Sequence, residues 1–130
     1  MVKFARIVFA VAGIIGLLEL LPFYFQEASF SADFPPAIAH PEFFYGFIGV
    51  AAVWQLVFFV IATNPLRYRP IMGIALLEKA AFAIPAYLLW QSGRLTAQPI
   101  LAGATVDALM FLFFAIAFVG VWRSASQKPV

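Results

Sequence analysis

The sequence predicts an all-α integral membrane protein: a four-helix bundle in up-down-up-down arrangement with both termini in the cytoplasm. Composition is the first reason, since 65% of the 130 residues are hydrophobic and 11% are charged. Ordinary soluble domains have about 25% charged residues, so too few charges remain here to cover a water-facing surface. The second reason is that four apolar segments reach the length of about 20 residues that a membrane-spanning helix needs.

The four predicted helices are separated by prolines, glycines and polar residues, which commonly mark helix ends. They cover roughly Phe4–Phe25, Glu42–Thr63, Pro70–Gln91 and Pro99–Trp122. Pro85 lies inside the third helix, where it removes a backbone hydrogen bond and should kink the helix. Residues 1–130 are expected to form a single transmembrane domain.

The first segment shares its basic start, Lys3 and Arg6, with secretory signal peptides. Its apolar stretch from Ile7 to Phe25 is longer than the core of about 7–15 residues in a typical signal peptide, and no good cleavage site follows. We therefore expect an uncleaved transmembrane helix.

The positions of the basic residues predict the orientation, because cytoplasmic loops carry an excess of Lys and Arg. Only Arg94 falls on the predicted outer side, together with the acidic Glu27, Asp33 and Glu42. The predicted cytoplasmic side carries Lys3, Arg6, Arg67, Arg69, Arg123 and Lys128. The loop from Gln26 to Pro41 is expected to pack on the outer membrane surface, and the tail from Ser124 to Val130 to fray.

Each predicted helix carries a polar residue well inside its apolar stretch. These residues are Glu19, Gln55, Glu78 with Lys79, and Asp107. A rise of about 1.5 Å per residue places Glu19 and Asp107 in an outer layer, Gln55 and Glu78 in an inner layer, and Lys79 between them. A charge facing lipid at a helix centre costs about 2.5–3.5 kcal/mol, and a small residue precedes each of the four sites by three positions. We therefore expect all of these groups to point into the bundle interior.

Lys79 is expected to pair with Asp107, because the two lie at similar depth on neighbouring helices. Glu78 points about 100° away from Lys79 along the helix and is expected to be a poorer partner. Gln55 suits a hydrogen bond that holds helices together. Glu19 has no second cation to pair with, which makes it the strongest candidate for chemistry. The remaining carboxyls are expected to be protonated or hydrogen-bonded, and the whole cluster is also compatible with a purely structural role.

Several site classes have no support in the sequence. The chain has no cysteine, and its single histidine, His40 beside Glu42, fits a helix-capping or solvated residue. A metal or haem site needs more ligands than this, so we expect no metal and no cofactor. The basic residues act as orientation signals, so no nucleic-acid partner is expected.

Four stretches carry a resemblance to known proteins. They are the Arg6 start leading into Gly13, Gly16 and Glu19; the run from Phe44-Tyr45-Gly46-Phe47 to Trp54-Gln55; the loop Asn64–Pro70; and Leu77-Glu78-Lys79. Over its whole length the chain resembles the small four-helix bacterial membrane proteins grouped as DoxX-like and related families of unknown function. The resemblance implies a protein of the bacterial inner membrane and supplies no catalytic residue.

Three functions stay open from the sequence. The first is an accessory subunit that binds a membrane partner or a second copy of itself through small-residue faces such as Ala12/Gly16, Gly46/Gly49 and Ala104/Ala108. The second is binding or transport of a small lipophilic or protonated ligand, such as a quinone or isoprenoid, with Glu19 and Asp107 lining its cavity. The third and least favoured is a lipid-modifying enzyme that uses these two carboxyls as acid and base.

Overall fold

The computed structural model describes residues 1–126, and every regular element in this range is helical. The elements are α1 (Val2–Leu20), a 3-10 helix (Leu21–Phe25), α2 (Glu27–Asp33), α3 (Pro41–Thr63), α4 (Arg69–Gln91) and α5 (Gln98–Ser126). Four stretches are long and apolar enough to cross a membrane, namely α1 with its 3-10 extension, α3, α4 and α5. The prediction of an all-helical chain with four long apolar helices is therefore confirmed.

Two helix ends differ from the predicted bounds. Pro22 has no backbone N–H to donate to the preceding turn, and the chain tightens into the 3-10 helix there instead of continuing as α-helix to Phe25. At the other end of the chain, α5 continues past the predicted end at Trp122 to Ser126. The rest of the predicted tail, including Lys128, lies outside the described residues.

Helix α1 packs mainly against α3 and α5, and α4 packs mainly against α5, whereas α3 and α4 meet at few positions. Helix α4 runs through Pro85 as one element. Met1 lies against Gly120, so the start of α1 and the end of α5 share one end of the bundle. We call this the terminal end. Tyr24 stacks on Tyr45 at the opposite end, which we call the distal end.

The centre of the core is a cluster of three phenylalanine rings from three helices. Phe9, Phe58 and Phe114 are fully buried. The ring centroids of Phe9 and Phe114 are 4.1 Å apart, and those of Phe58 and Phe114 are 5.1 Å apart. This aromatic core joins α1, α3 and α5 and fills the half of the bundle nearer the terminal end.

The connection between α1 and α3 forms a cap at the distal end. It contains the short helix α2, which the sequence analysis did not predict. The Tyr45 hydroxyl donates a 2.6 Å hydrogen bond to the Glu27 carboxylate, which ties α2 to α3. Phe30 of α2 packs edge-on against Phe23, and its ring is also near Phe44. Aromatic contacts of this kind stabilise a helix too short to be stable alone.

Candidate ligand-binding cavity

All five polar residues predicted inside the bundle line one cavity of about 340 Å³. The cavity lies in the distal half, between α1, α3, α4 and α5. Its polar lining consists of Glu19, Gln55, Glu78, Lys79 and Asp107. Its larger apolar lining residues are Leu20, Phe23, Phe47, Phe82, Ile100 and Val106. The volume falls near the lower end of the range of about 300–1,000 Å³ that is typical of small-molecule sites.

Lys79 contacts two carboxyls of the cavity, those of Asp107 and Glu78. Its ammonium donates a 2.8 Å hydrogen bond to Asp107 Oδ1, which is the pair expected from the depth argument. Glu78 Oε2 also lies 3.3 Å from Lys79 Nζ, close enough for an ion pair but without hydrogen-bond geometry. Glu78 thus lies nearer to Lys79 than predicted from the 100° between their directions, because long side chains on adjacent positions can bend toward each other.

The third contact of the Lys79 ammonium is the face of Phe58, whose ring centroid is 5.1 Å from Nζ. An ammonium is attracted to the face of an aromatic ring at this distance. Lys79 is only 5% exposed, and its ammonium already contacts two carboxyls and one aromatic ring. The two carboxyls offset its positive charge, so the site attracts an anionic ligand weakly.

Gln55 is the most buried polar side chain of the cavity, with 1% of its surface exposed. Its Nε2 donates a 2.8 Å hydrogen bond to the Ala51 carbonyl of its own helix. Its Oε1 has no hydrogen-bond partner among residues 1–126. The expectation that Gln55 hydrogen-bonds between helices is therefore wrong, since the side-chain hydrogen bond that it makes among the described residues stays within α3.

Gly16 makes room for the Gln55 amide. A Cβ atom at position 16 would overlap Oε1 and Cδ of Gln55. The glycine thus lets α1 approach the amide closely, and it also leaves the oxygen with no α1 side chain to bond to.

Glu19 lines the cavity, but its side chain is exposed rather than buried as expected. It lies in the last turn of α1, two residues before the 3-10 helix begins at Leu21. The exposed residues of the lining mark where the cavity opens. They are Glu19, Phe47, Pro99 and Ala102.

The cavity ends toward the terminal half at the aromatic core. Phe58, which contacts Lys79, is fully buried together with Phe9 and Phe114. Within the described part of the chain, the cavity has its opening at the distal end and a packed aromatic floor below Lys79.

The apolar lining of the cavity was not predicted, although the sequence carries a signal for it. Phe23 lies four residues after Glu19, and Phe82 lies four residues after Glu78. The same spacing relates Gly103 to Asp107. Residues four apart share a helix face, so extending each polar position by one turn toward the distal end identifies its apolar neighbours.

His40 lies outside the cavity. Its Nδ1 is 3.1 Å from Glu42 Oε1, and both side chains are largely exposed. His40 precedes α3 without a side-chain capping hydrogen bond, so of the two expectations for it, helix-capping or solvated, it fits the solvated residue. Among the described residues, no group of His, Cys, Asp and Glu is arranged to hold a metal ion.

Comparison with known proteins gives no relative. The chain matches no protein-family model, no curated protein and no solved structure. The resemblance to DoxX-like proteins therefore stays a prediction.

Proposed function

We propose that this protein binds a small amphiphilic molecule in the cavity between its four long helices. The observation that supports this most is that the five polar residues, although Lys79 contacts Asp107 and Glu78, line an open space of about 340 Å³. A structural ion pair alone would gain nothing from a cavity, because empty volume in a protein interior costs stability. The mixture of a few polar groups with an apolar and aromatic wall is typical of small-molecule sites.

The proposed setting is the bacterial inner membrane, in line with the resemblance to DoxX-like proteins. The four apolar helices would cross it in an up-down-up-down arrangement, with both termini in the cytoplasm. The excess of Lys and Arg near Met1, in the α3–α4 connection and at the end of α5 supports this orientation. The mouth of the cavity would then lie toward the outer leaflet.

The aromatic floor favours binding over transport. A transporter exposes its site alternately to the two sides of the membrane, which would require the Phe9–Phe58–Phe114 cluster to separate. These rings are fully buried and in mutual contact. We therefore propose a binding site with one entrance and no transport across the membrane.

A membrane-protein partner is the second candidate. Two small residues proposed for such a face, Ala12 and Gly16, are used inside the bundle, since Ala12 is 4% exposed and Gly16 contacts Gln55. Gly46 by contrast has nothing within 4 Å of the position of a Cβ atom and stays available on α3. A pull-down in mild detergent that returns monomer alone would contradict this candidate.

Filling the cavity tests the proposed function. Gly103 lines the cavity, and a Cβ there meets only the Phe82 ring, at 3.9 Å. A protein with leucine at position 103 should therefore fold normally, and the leucine side chain should occupy part of the cavity. We expect Gly103→Leu to weaken binding of the uncharged lipophilic fluorophore N-phenyl-1-naphthylamine by about tenfold. The measurement is fluorescence titration of the protein in lipid nanodiscs, with empty nanodiscs as blank.

The matched control is Gly46→Leu, which adds the same side chain on a helix surface away from the cavity. It should bind the fluorophore as the unmodified protein does. Equal binding by Gly103→Leu and Gly46→Leu would show that the fluorophore does not occupy this cavity and would contradict the proposed function.

A further inference from the structure

The polar groups that line the cavity are mostly hydrogen-bond acceptors. Gln55 Oε1 and Glu78 Oε2 are buried and have no hydrogen-bond partner among the residues that the structure describes. The orientation of the Gln55 amide follows from its contact with the Ala51 carbonyl, which can only accept, so the atom bonded to it must be the nitrogen. The free atom of this amide is therefore the oxygen.

The donors of the cavity are already engaged. Within residues 1–126, Lys79 is the one cationic side chain in the lining. Its ammonium is bonded to Asp107 and lies against Glu78 and the Phe58 ring. Among the described residues, the two buried lining atoms without a hydrogen-bond partner are thus both acceptor oxygens, and leaving a buried acceptor unpaired costs about 1–3 kcal/mol.

The balance of charge in the lining also favours a ligand that donates hydrogen bonds. Three carboxyls line the cavity, Glu19, Glu78 and Asp107, against the single amine of Lys79. An additional cation would reduce this excess of acidic groups, whereas an anion would increase it. Attraction and repulsion of this kind are strong in a site partly shielded from water.

We infer that the ligand is a lipophilic amine, an amphiphile with a protonated amino head and an apolar body. The head donates hydrogen bonds to Gln55 Oε1 and Glu78 Oε2, and Glu19 at the mouth adds a carboxylate. The apolar body lies against Phe23, Phe47 and Phe82 of the same lining. This inference rests on the proposed function and names the chemical class of its ligand.

Two other ligand classes fit the lining less well. A quinone presents carbonyl oxygens, which accept hydrogen bonds and would face the free Gln55 and Glu78 oxygens without a proton between them. A phosphate or carboxylate head would add negative charge beside three carboxyls and find the Lys79 ammonium occupied. The amine is the class that satisfies both the unpaired acceptors and the charge.

Three amphiphiles with the same eight-carbon chain test the inference. Octylamine, octanol and octanoate are added at pH 7 to the full chain in phosphatidylcholine nanodiscs that hold N-phenyl-1-naphthylamine. Displacement of the fluorophore is measured, with empty nanodiscs as blank for partition into lipid. We expect octylamine to displace it at a concentration about tenfold lower than octanol or octanoate, because hydrogen bonds to a charged group are the stronger ones.

Two substitutions connect this preference to named atoms. Gln55→Met keeps the length of the side chain and removes the free oxygen, and Glu19→Gln removes a charge on an exposed side chain. Each should raise the octylamine midpoint, by about tenfold for Gln55→Met and about fivefold for Glu19→Gln. The octanol midpoint should change less. The control is Glu42→Gln, an exposed acid outside the cavity, which should change neither midpoint.

The outcomes separate this inference from the proposed function. Octanol or octanoate displacing the fluorophore as well as octylamine would overturn the amine inference, while the cavity would still be a binding site. An octylamine preference unchanged by both Gln55→Met and Glu19→Gln would also overturn it. Fluorophore binding that is insensitive to Gly103→Leu and to all three amphiphiles would instead overturn the proposed function itself.

Discussion

Replacing Lys79 by methionine removes the one cation that lines the cavity within the described chain. Asp107 then loses its 2.8 Å hydrogen bond, and Glu78 loses the ammonium 3.3 Å away. Breaking a buried ion pair by removing one partner costs about 3–5 kcal/mol. The freed carboxyls can take up protons and escape part of this penalty, so we expect a loss of about 3 kcal/mol for Lys79→Met.

The assay is unfolding of the purified protein in mild detergent by added sodium dodecyl sulfate, followed by far-ultraviolet circular dichroism. Lys3→Met is the matched control, because Lys3 is exposed and should change stability by no more than about 0.5 kcal/mol. The double variant Lys79→Met/Asp107→Leu should recover much of the loss, because a buried pair replaced by apolar residues is often close to neutral.

The double variant also supplies the refuting result. Together with the two single variants it completes a cycle that measures the coupling between the two side chains. A coupling below about 0.5 kcal/mol would mean that the pair contributes nothing to the bundle, and the account of Lys79 as the centre of the cluster would be wrong.

Two further predictions concern the packing of α1 and the orientation in the membrane. Gly16→Ala should destabilise the fold by about 1–3 kcal/mol, because the added methyl group overlaps the buried Gln55 amide. The control is Gly46→Ala, whose methyl group meets open space and should leave the stability unchanged in the same unfolding assay. Single cysteines can be introduced without background because the chain has none. We expect Ser92→Cys, but not Asn64→Cys, to react with a membrane-impermeant maleimide on intact spheroplasts; the reverse pattern would overturn the proposed orientation.

The long helices were predictable because their signals are local. Segment length and the prolines at positions 41, 70 and 99 determine where α3, α4 and α5 can start, and the observed starts lie within one residue of the predicted ones. Helix α2 was not predictable in this way. It is short, and what stabilises it, the Tyr45–Glu27 hydrogen bond and the ring of Phe44, comes from α3, beyond a loop.

The sequence predicted how deep each polar residue of the candidate site lies in the bundle, but not which side of its helix faces which neighbour. The constant rise of an α-helix places Lys79 and Asp107 at similar depth, which is why their pair follows from the sequence. The side that each residue faces depends on how the helices rotate and where they end. The exposure of Glu19 depends on the end of α1 one residue later, and the free oxygen of Gln55 depends on its bond to Ala51. That bond stays within α3, so what spacing along one helix cannot predict is that no neighbouring helix among the described residues offers the Gln55 oxygen a donor.

The aromatic floor under Lys79 has a consequence for how the site fills and empties. In the proposed function, a molecule that enters beside Glu19 leaves by the same opening, so the rates of binding and release both depend on that opening. In the proposed orientation the ligand would exchange between the site and the outer leaflet only. Changing the lipid composition of that leaflet should alter occupancy, whereas changing the other leaflet should leave it untouched.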